Sequence, residues 1–311
     1  MARTEEYSLP EPVTPVGAPA PVEAVPVGIG RRYESLYFAL RNRKFLIGAG
    51  VVTSLLVLAL VGPALTDADP LAFEAIPGEA PSSAHWFGTT ASGQDVFAQF
   101  VHGLRASFIV GALGGGIAAL LGMLVGFTAG YRGGFVDDLL SLVTNVVLVI
   151  PTLALLIVFA AFNEGAGGFV TEGIFIGVTS WPWAARAVRA QTFSLVARDF
   201  VDVARLSGKR GGQIVFKEIA PNMSSYLLMM FILLFGGAIL IGASLDFIGL
   251  GPADSISLGL MMNNAVLWSA LLLGTWWWFI PPGLGIMAIV GGLYVMNVGL
   301  DEIFNPRLRD L

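Results

Sequence analysis

Long stretches of uncharged, apolar sequence decide what this chain can become. They lie at about 45 to 65, 106 to 130, 139 to 162, 173 to 185, 223 to 245 and 279 to 300. Most match the ~20 residues that carry an α-helix across the ~30 Å hydrocarbon layer of a bilayer, and only the fourth is short. Apolar residues make up 55% of the 311 and charged ones 13%, with a mean hydropathy of +0.77, more than one water-soluble core of this size needs. The charges sit in a few clusters instead of being spread over every helix, so a soluble enzyme is all but excluded and an all-α membrane protein with six transmembrane helices is expected.

Residues 1–30 carry Pro10, Pro12, Pro15, Pro19, Pro21 and Pro26 among small residues, a composition that neither continues a helix nor buries a core. The chain therefore divides into a disordered Pro-rich cytoplasmic tail, 1–30; a basic cytoplasmic segment, 31–44; a first transmembrane helix, 45–65; an extracytoplasmic loop, 66–103; and a membrane core, 104–311, interrupted by a polar loop at 198–222. The first apolar run follows Arg31, Arg32, Arg41, Arg43 and Lys44, which reads as a retained anchor and not a cleaved signal peptide.

Basic residues set the orientation. With a cytoplasmic N-terminus and six spans, the inside holds the tail cluster, Arg132, the group Arg186, Arg189, Arg198, Arg205, Lys209, Arg210 and Lys217, and the C-terminal Arg307 and Arg309; only Arg105 falls outside. A seventh span would move Arg307 and Arg309 outward, so 256–278 is expected to be a short interfacial or re-entrant piece at the outer surface. Trp268, Trp276, Trp277 and Trp278 suit an aromatic belt there.

Catalytic chemistry finds little purchase. There is no cysteine, and His85 and His102 both lie in the outer loop without metal-ligand spacing, which reads as ordinary loop histidine. Ser244 has no histidine or lysine in any span to activate it. No phosphate-binding GxxxxGK[ST] loop is present. Gly111, Gly114, Gly115, Gly116, Gly122 and Gly126 lie inside an apolar run, where small residues let helices approach closely. No ionisable group is expected at mid-depth: Asp137 and Asp138 lie at a cytoplasmic end, Glu172 at an interface, and Asp246 near an outer end, either facing the pathway or hydrated at the interface. If this chain moves a solute, the energy comes from a partner.

The segment from Arg198 to Asn222, "RDFVDVARLSGKRGGQIVFKEIAPN", is too long for a turn and too polar for the bilayer. Helix formers give way at Gly208, Gly211 and Gly212, and "QIVFKEIA" resumes before Pro221, so two short helices around a glycine bend would make a protruding knob. The competing reading is a basic tether that only fixes topology. Asp202, Val203, Ala204, Gly208, Pro221 and Asn222 fall on the pattern of the EAA loop, and here the sequence resembles the permeases of binding-protein-dependent ABC importers. With Ile214 and Phe216 it is similar to their dipeptide, oligopeptide and nickel group. "FGTTASGQDVFAQFVHGLRASFIVG" at 87–111, "LDFIGLG" at 245–251 and "NPRLRDL" at 305–311 agree, and the resemblance covers roughly 40–311. Asp202 stands where that family usually has glutamate, Val203 where it has alanine, and Asp246 where serine is commoner.

The resemblance implies a type I importer permease subunit that hydrolyses nothing itself. It implies a coupling surface at Asp202, Val203, Ala204, Arg205, Gly208, Ile214 and Pro221, with Asp246 a candidate for the pathway. The implied partners are a second permease subunit, two ATPase subunits that hold ATP and Mg, an extracytoplasmic solute-binding protein and membrane lipid. The binding protein would dock on the loop from Asp67 to His102 and on 252–278. The chain itself is expected to bind no cofactor, metal or nucleic acid, and to lie in a prokaryotic cytoplasmic membrane with both termini inside. Peptides lead as substrate over oligosaccharides or nickel, and the alternative is a gradient-driven transporter or channel without an ATPase.

Overall fold

The computed structural model describes residues 41–66, 68–163 and 168–304, which leaves the Pro-rich tail, Arg307, Arg309 and "NPRLRDL" outside the described residues. Among these residues the fold is helical, with one isolated bridge between Thr89 and Asp95. Its elements are α1 (Arg43–Val61), α2 (Val96–Arg132), α3 (Gly134–Val149), α4 (Thr152–Asn163), α5 (Gly168–Val196), α6 (Asp199–Leu206), α7 (Gly211–Ile214), α8 (Ser224–Phe247), α9 (Leu258–Leu267) and α10 (Trp276–Phe304).

Helix α2, the axis of the bundle, rises about 55 Å at 1.5 Å per residue, well beyond the hydrocarbon layer. Its start is fixed by Asp95, whose carboxylate accepts from Ala98 N at 2.7 Å; the other oxygen lies 2.7 Å from His85 Nδ1, so this loop histidine holds the cap in place. The glycines of α2 then allow close approach. A Cβ on Gly122 would collide with Ala184, one on Gly126 would meet Ala185 O at 2.7 Å, and one on Gly115 would meet Phe235 N at 2.7 Å; Gly116 faces open space. Thus α8 meets the glycine run of α2 at Gly115 and α5 meets it further along at Gly122 and Gly126, the contact that small residues allow where lipid supplies no hydrophobic drive.

The expected third span is two helices. Ile150 is extended (φ −75°, ψ 122°), the conformation that Pro151 imposes on the residue before it, and α3 and α4 meet at 74°. The pair still runs the length of α5. Near its start, Arg189 Nη2 donates to Asp137 Oδ2 at 2.6 Å while Nε bonds the other oxygen; at its far end Phe159 stacks on Phe175 at 4.9 Å. In α5 the uncharged run between Glu172 and Arg186 is short, yet the helix has 29 residues and crosses the bundle as a rod bearing Pro182 in its interior. Four helices, α1 with its terminal turn, α2, α8 and α10, are long and apolar enough to cross a membrane, and the bent pair counted as one span makes five.

Helix ends fix relative sidedness. Asn42 Nδ2 donates to Glu302 Oε2 at 3.0 Å and Lys44 pairs with the same carboxylate, so the start of α1 and the end of α10 lie together. A Cβ on Gly211 would touch the Tyr131 ring at 2.9 Å, which puts the 198–222 segment at the end of α2. On the opposite side, residues 68–95 fold back on themselves and Trp277 Nε1 donates to Thr89 O at 3.1 Å. The segment 256–278 forms α9 and a short turn there, with Trp268 and Trp276 exposed as a belt requires; Trp278 is instead buried in the core.

The α2–α5 contact yields a test. Gly122→Val should lower thermal stability by ~1–3 kcal/mol through overpacking, whereas Gly116→Val should leave it unchanged. Melting of the purified protein in detergent followed by size-exclusion chromatography separates the two; equal melting of both variants would show that the glycine contact does not govern the bundle.

Candidate functional site

The knob is built by its own small core. Asp199 and Asp202 sit in the first turn of α6, where carboxylates favour the positive end of the helix dipole. Periodicity turns Val201 and Ala204 inward against Ile214, Val215 and Ile219, and all five are buried. The helix ends on a complete Schellman motif: Lys209 N donates to Ala204 O at 3.2 Å, Gly208 N donates to Arg205 O at 3.0 Å, and Gly208 has φ +73°. Lys209 Nζ and Glu218 Oε1, 2.5 Å apart, tie that bend to a π-helical turn over Val215–Ile219. Asn222 closes the segment by donating to Glu218 O at 2.7 Å.

What remains outside is distinctive. Val203 is 62% exposed, Leu206 89% and Phe216 65%, beside an Asp202–Arg205 ion pair of 2.9 Å. Large apolar side chains gathered on an exposed, otherwise polar knob are a feature of interaction surfaces. Of the residues singled out from sequence, Asp202, Val203, Arg205, Gly208 and Pro221 lie on this outer face or its bend, while Ala204 and Ile214 belong to the core beneath. Leu206 is absent from the residues expected at the coupling surface, and Phe216 enters the sequence reading only through the resemblance; the signal for both is the presence of bulky apolar residues in a loop otherwise rich in charge.

A second feature lies at the opposite end of α5 and α8. Asp246 is 2% exposed, so it is not a hydrated interfacial carboxylate; Ser257 Oγ donates to its Oδ2 and in turn accepts from Leu260 N at 3.0 Å. Glu172 does not sit at a wet interface either: both of its carboxylate oxygens are buried. A Cβ on Gly242 would meet Glu172 Oε1 at 3.0 Å, which places that carboxylate one turn from Asp246 on the same face of α8. No local pattern warns of this pairing, because it arises from the packing of two helices that brings together residues 74 apart in the chain. Between α5, α8 and the bent pair lies a cavity of about 370 Å³ lined by Thr152, Thr179, Ser180, Trp183, Gly237 and Ile241.

The knob, the bundle and the buried seam are matched by known sequences. The family described as the binding-protein-dependent transport system inner membrane component matches residues 122–310. This chain belongs to that family. As such an inner membrane component it is a multi-pass membrane protein, a permease of the ABC importer class. It is 30% identical over 273 residues to a dipeptide transport system permease protein of Alkalihalophilus pseudofirmus, covering 86% of this chain and 88% of that one. A putative peptide permease protein of Brucella suis is 30% identical over 287 residues, 92% and 94% of the two chains. An oligopeptide transport system permease protein of Bacillus subtilis is 28% identical over 270 residues, 86% and 87%.

The bend of this permease is open to a direct test. Nothing lies within 4 Å of a Cβ built on Gly208, so the cost of a side chain there is conformational alone. Gly208→Val should destabilise the knob by ~1–2 kcal/mol, raising amide hydrogen exchange across 199–222 while exchange in α2 and α8 stays at its native rate. Unchanged exchange in the knob would mean the left-handed bend is not what holds it.

Proposed function

We propose that this chain is one of two permease subunits of an ATP-driven importer, most suited to peptides, and that the 198–222 knob couples it to a cytoplasmic ATPase. The observation that carries the reading is the exposed Val203, Leu206 and Phe216 face on a knob with a rigid core and a capped bend. Relatives named for dipeptide and oligopeptide transport, matched over most of their length, support peptides as the substrate class over oligosaccharides or nickel. Family membership sets aside the gradient-driven transporter or channel.

In this reading six crossings are made by α1, α2, the α3–α4 pair, α5, α8 and α10, and both termini are cytoplasmic. The shared end of α1 and α10, and the knob on that same end of α2, support it. Binding of ATP and Mg on two partner subunits draws them together, and the knob transmits the movement. Because only Ala197 and Arg198 separate α5 from α6, and Arg189 and Arg186 hold α3 through Asp137 and Asn145, displacement of the knob moves α5 and the bent pair as a unit. Access to the cavity then switches sides. The 68–95 fold and the α9 region meet an extracytoplasmic solute-binding protein, and the chain itself binds neither ATP nor metal.

Two measurements test this. Asp202→Lys should insert normally yet weaken ATPase association, so that substrate-stimulated ATP hydrolysis and uptake by the reconstituted complex both fall by about tenfold or more; wild-type stimulation would return the knob to a topological tether. Since the chain has no cysteine, Ser83→Cys and Ser207→Cys can be labelled singly in intact cells with an impermeant maleimide. Labelling of Ser83→Cys alone is expected, and equal labelling of both would overturn the orientation.

A further inference from the structure

The Glu172 and Asp246 carboxylates have no use in the coupling machinery and no counter-charge. Three of their four oxygens, Glu172 Oε1, Glu172 Oε2 and Asp246 Oδ1, are buried without a hydrogen-bond partner, and the fourth accepts only from Ser257. Neither residue takes part in an ion pair among the described residues, and Asp246 is close enough for its charge to act on Glu172. Burying like charges together without a cation is among the costliest arrangements a protein can hold, and inside a membrane protein such groups mark ion or substrate routes.

The seam is also built to hold them. Gly242 leaves room for Glu172, and Gly251 and Gly259 leave room for Asp246. Ala238, Gly242 and Asp246 follow one another at four-residue spacing on α8, and Glu172, Thr179 and Ser180 share a face of α5. Ala238, Thr179 and Ser180 line the 370 Å³ cavity, where Ser180 Oγ is likewise buried and unpartnered. The carboxylates and the cavity thus lie along the same pair of helices, with Ile176 and Ala238 of a small hydrophobic cluster between them.

We propose that Glu172 and Asp246 form a binding site for a cationic nitrogen of the transported solute, an ammonium or guanidinium group, which enters the α5–α8 seam and supplies the missing charge. An N–H cation supplies donors for the three unpartnered carboxylate oxygens as well as the counter-charge. The inference rests on the reading of the chain as a peptide importer subunit, and it makes that importer selective for cationic peptides at the permease itself.

The test compares the wild-type complex with E172Q/D246N, assembled with its ATPase subunits and binding protein in proteoliposomes. The double variant keeps the side-chain volumes and removes uncompensated charge, so it should fold at least as stably as the wild type. Uptake of trilysine relative to trialanine should fall by about tenfold or more, and trilysine should stabilise the purified wild-type complex against heating but not the variant. An equal change for both peptides, or none, would overturn the site, as would uptake whose sodium dependence disappears in the variant while peptide preference stays, which would assign the carboxylates to an inorganic ion. If the wild type imports neither peptide, the peptide reading itself fails, and the thermal shift decides the cation site alone.

Discussion

The close approach of α2 to α5 and α8 is the interaction on which the rest of this structure depends. Between helices in lipid there is no hydrophobic gain from contact, so association rests on van der Waals fit and on polar bonds between neighbours. Glycines at 115, 122 and 126 bring the backbones of α2 and its neighbours together. With α5 and α8 both held against α2, the two are also held against each other, and only then do Glu172 and Asp246 come to lie on one seam. The same closeness lets Arg189 reach Asp137 across α3. Remove the glycine faces and neither the polar lock at one end nor the carboxylates at the other retains its geometry.

The knob is energetically distinct from the spans. Its core of Val201, Ala204, Ile214, Val215 and Ile219 joins α2, α5 and α8 in one hydrophobic cluster that includes Phe127, Val188 and Met230. It is therefore anchored to three helices at once, and its outer face is free to meet a partner. In the proposed coupling, a loose tether would dissipate an applied force, whereas a capped, cored knob separated from α5 by only Ala197 and Arg198 would pass it on.

Much of this was legible in the sequence. The six apolar runs all fall on the helices, Gly208 ends α6 in a left-handed turn, and the glycine-rich run of α2 makes close contacts, because each depends on local composition or on backbone geometry that only certain residues adopt. Position 116 shows the limit of such reading: it belongs to the same run and faces open space, since which glycines touch a neighbour depends on helix phase. Trp278 illustrates the same limit, as an aromatic in a belt-like cluster whose position on α10 turns it into the core. Glu172 was read as interfacial because burial of an unpaired carboxylate is disfavoured; only the pairing with α8 shows the local rule set aside, and local rules are most often broken where function requires it.

Prolines complete the account of how such a bundle can move. Pro151 breaks the third run because Ile150 adopts the extended conformation before it, whereas Pro182 is carried inside α5 without ending it. Both lack the N–H that would bond one turn back, so the backbone ladder is weakest at these two points. The points are neighbours in space: Thr152, just past the break, lines the same cavity as Pro182 and the Thr179–Ser180 pair. In the proposed coupling, the knob would drive these two helices together through Arg189 and Asp137, and with their most deformable turns beside one chamber, that motion would change the chamber's shape before it disturbed the glycine-held contacts of α2.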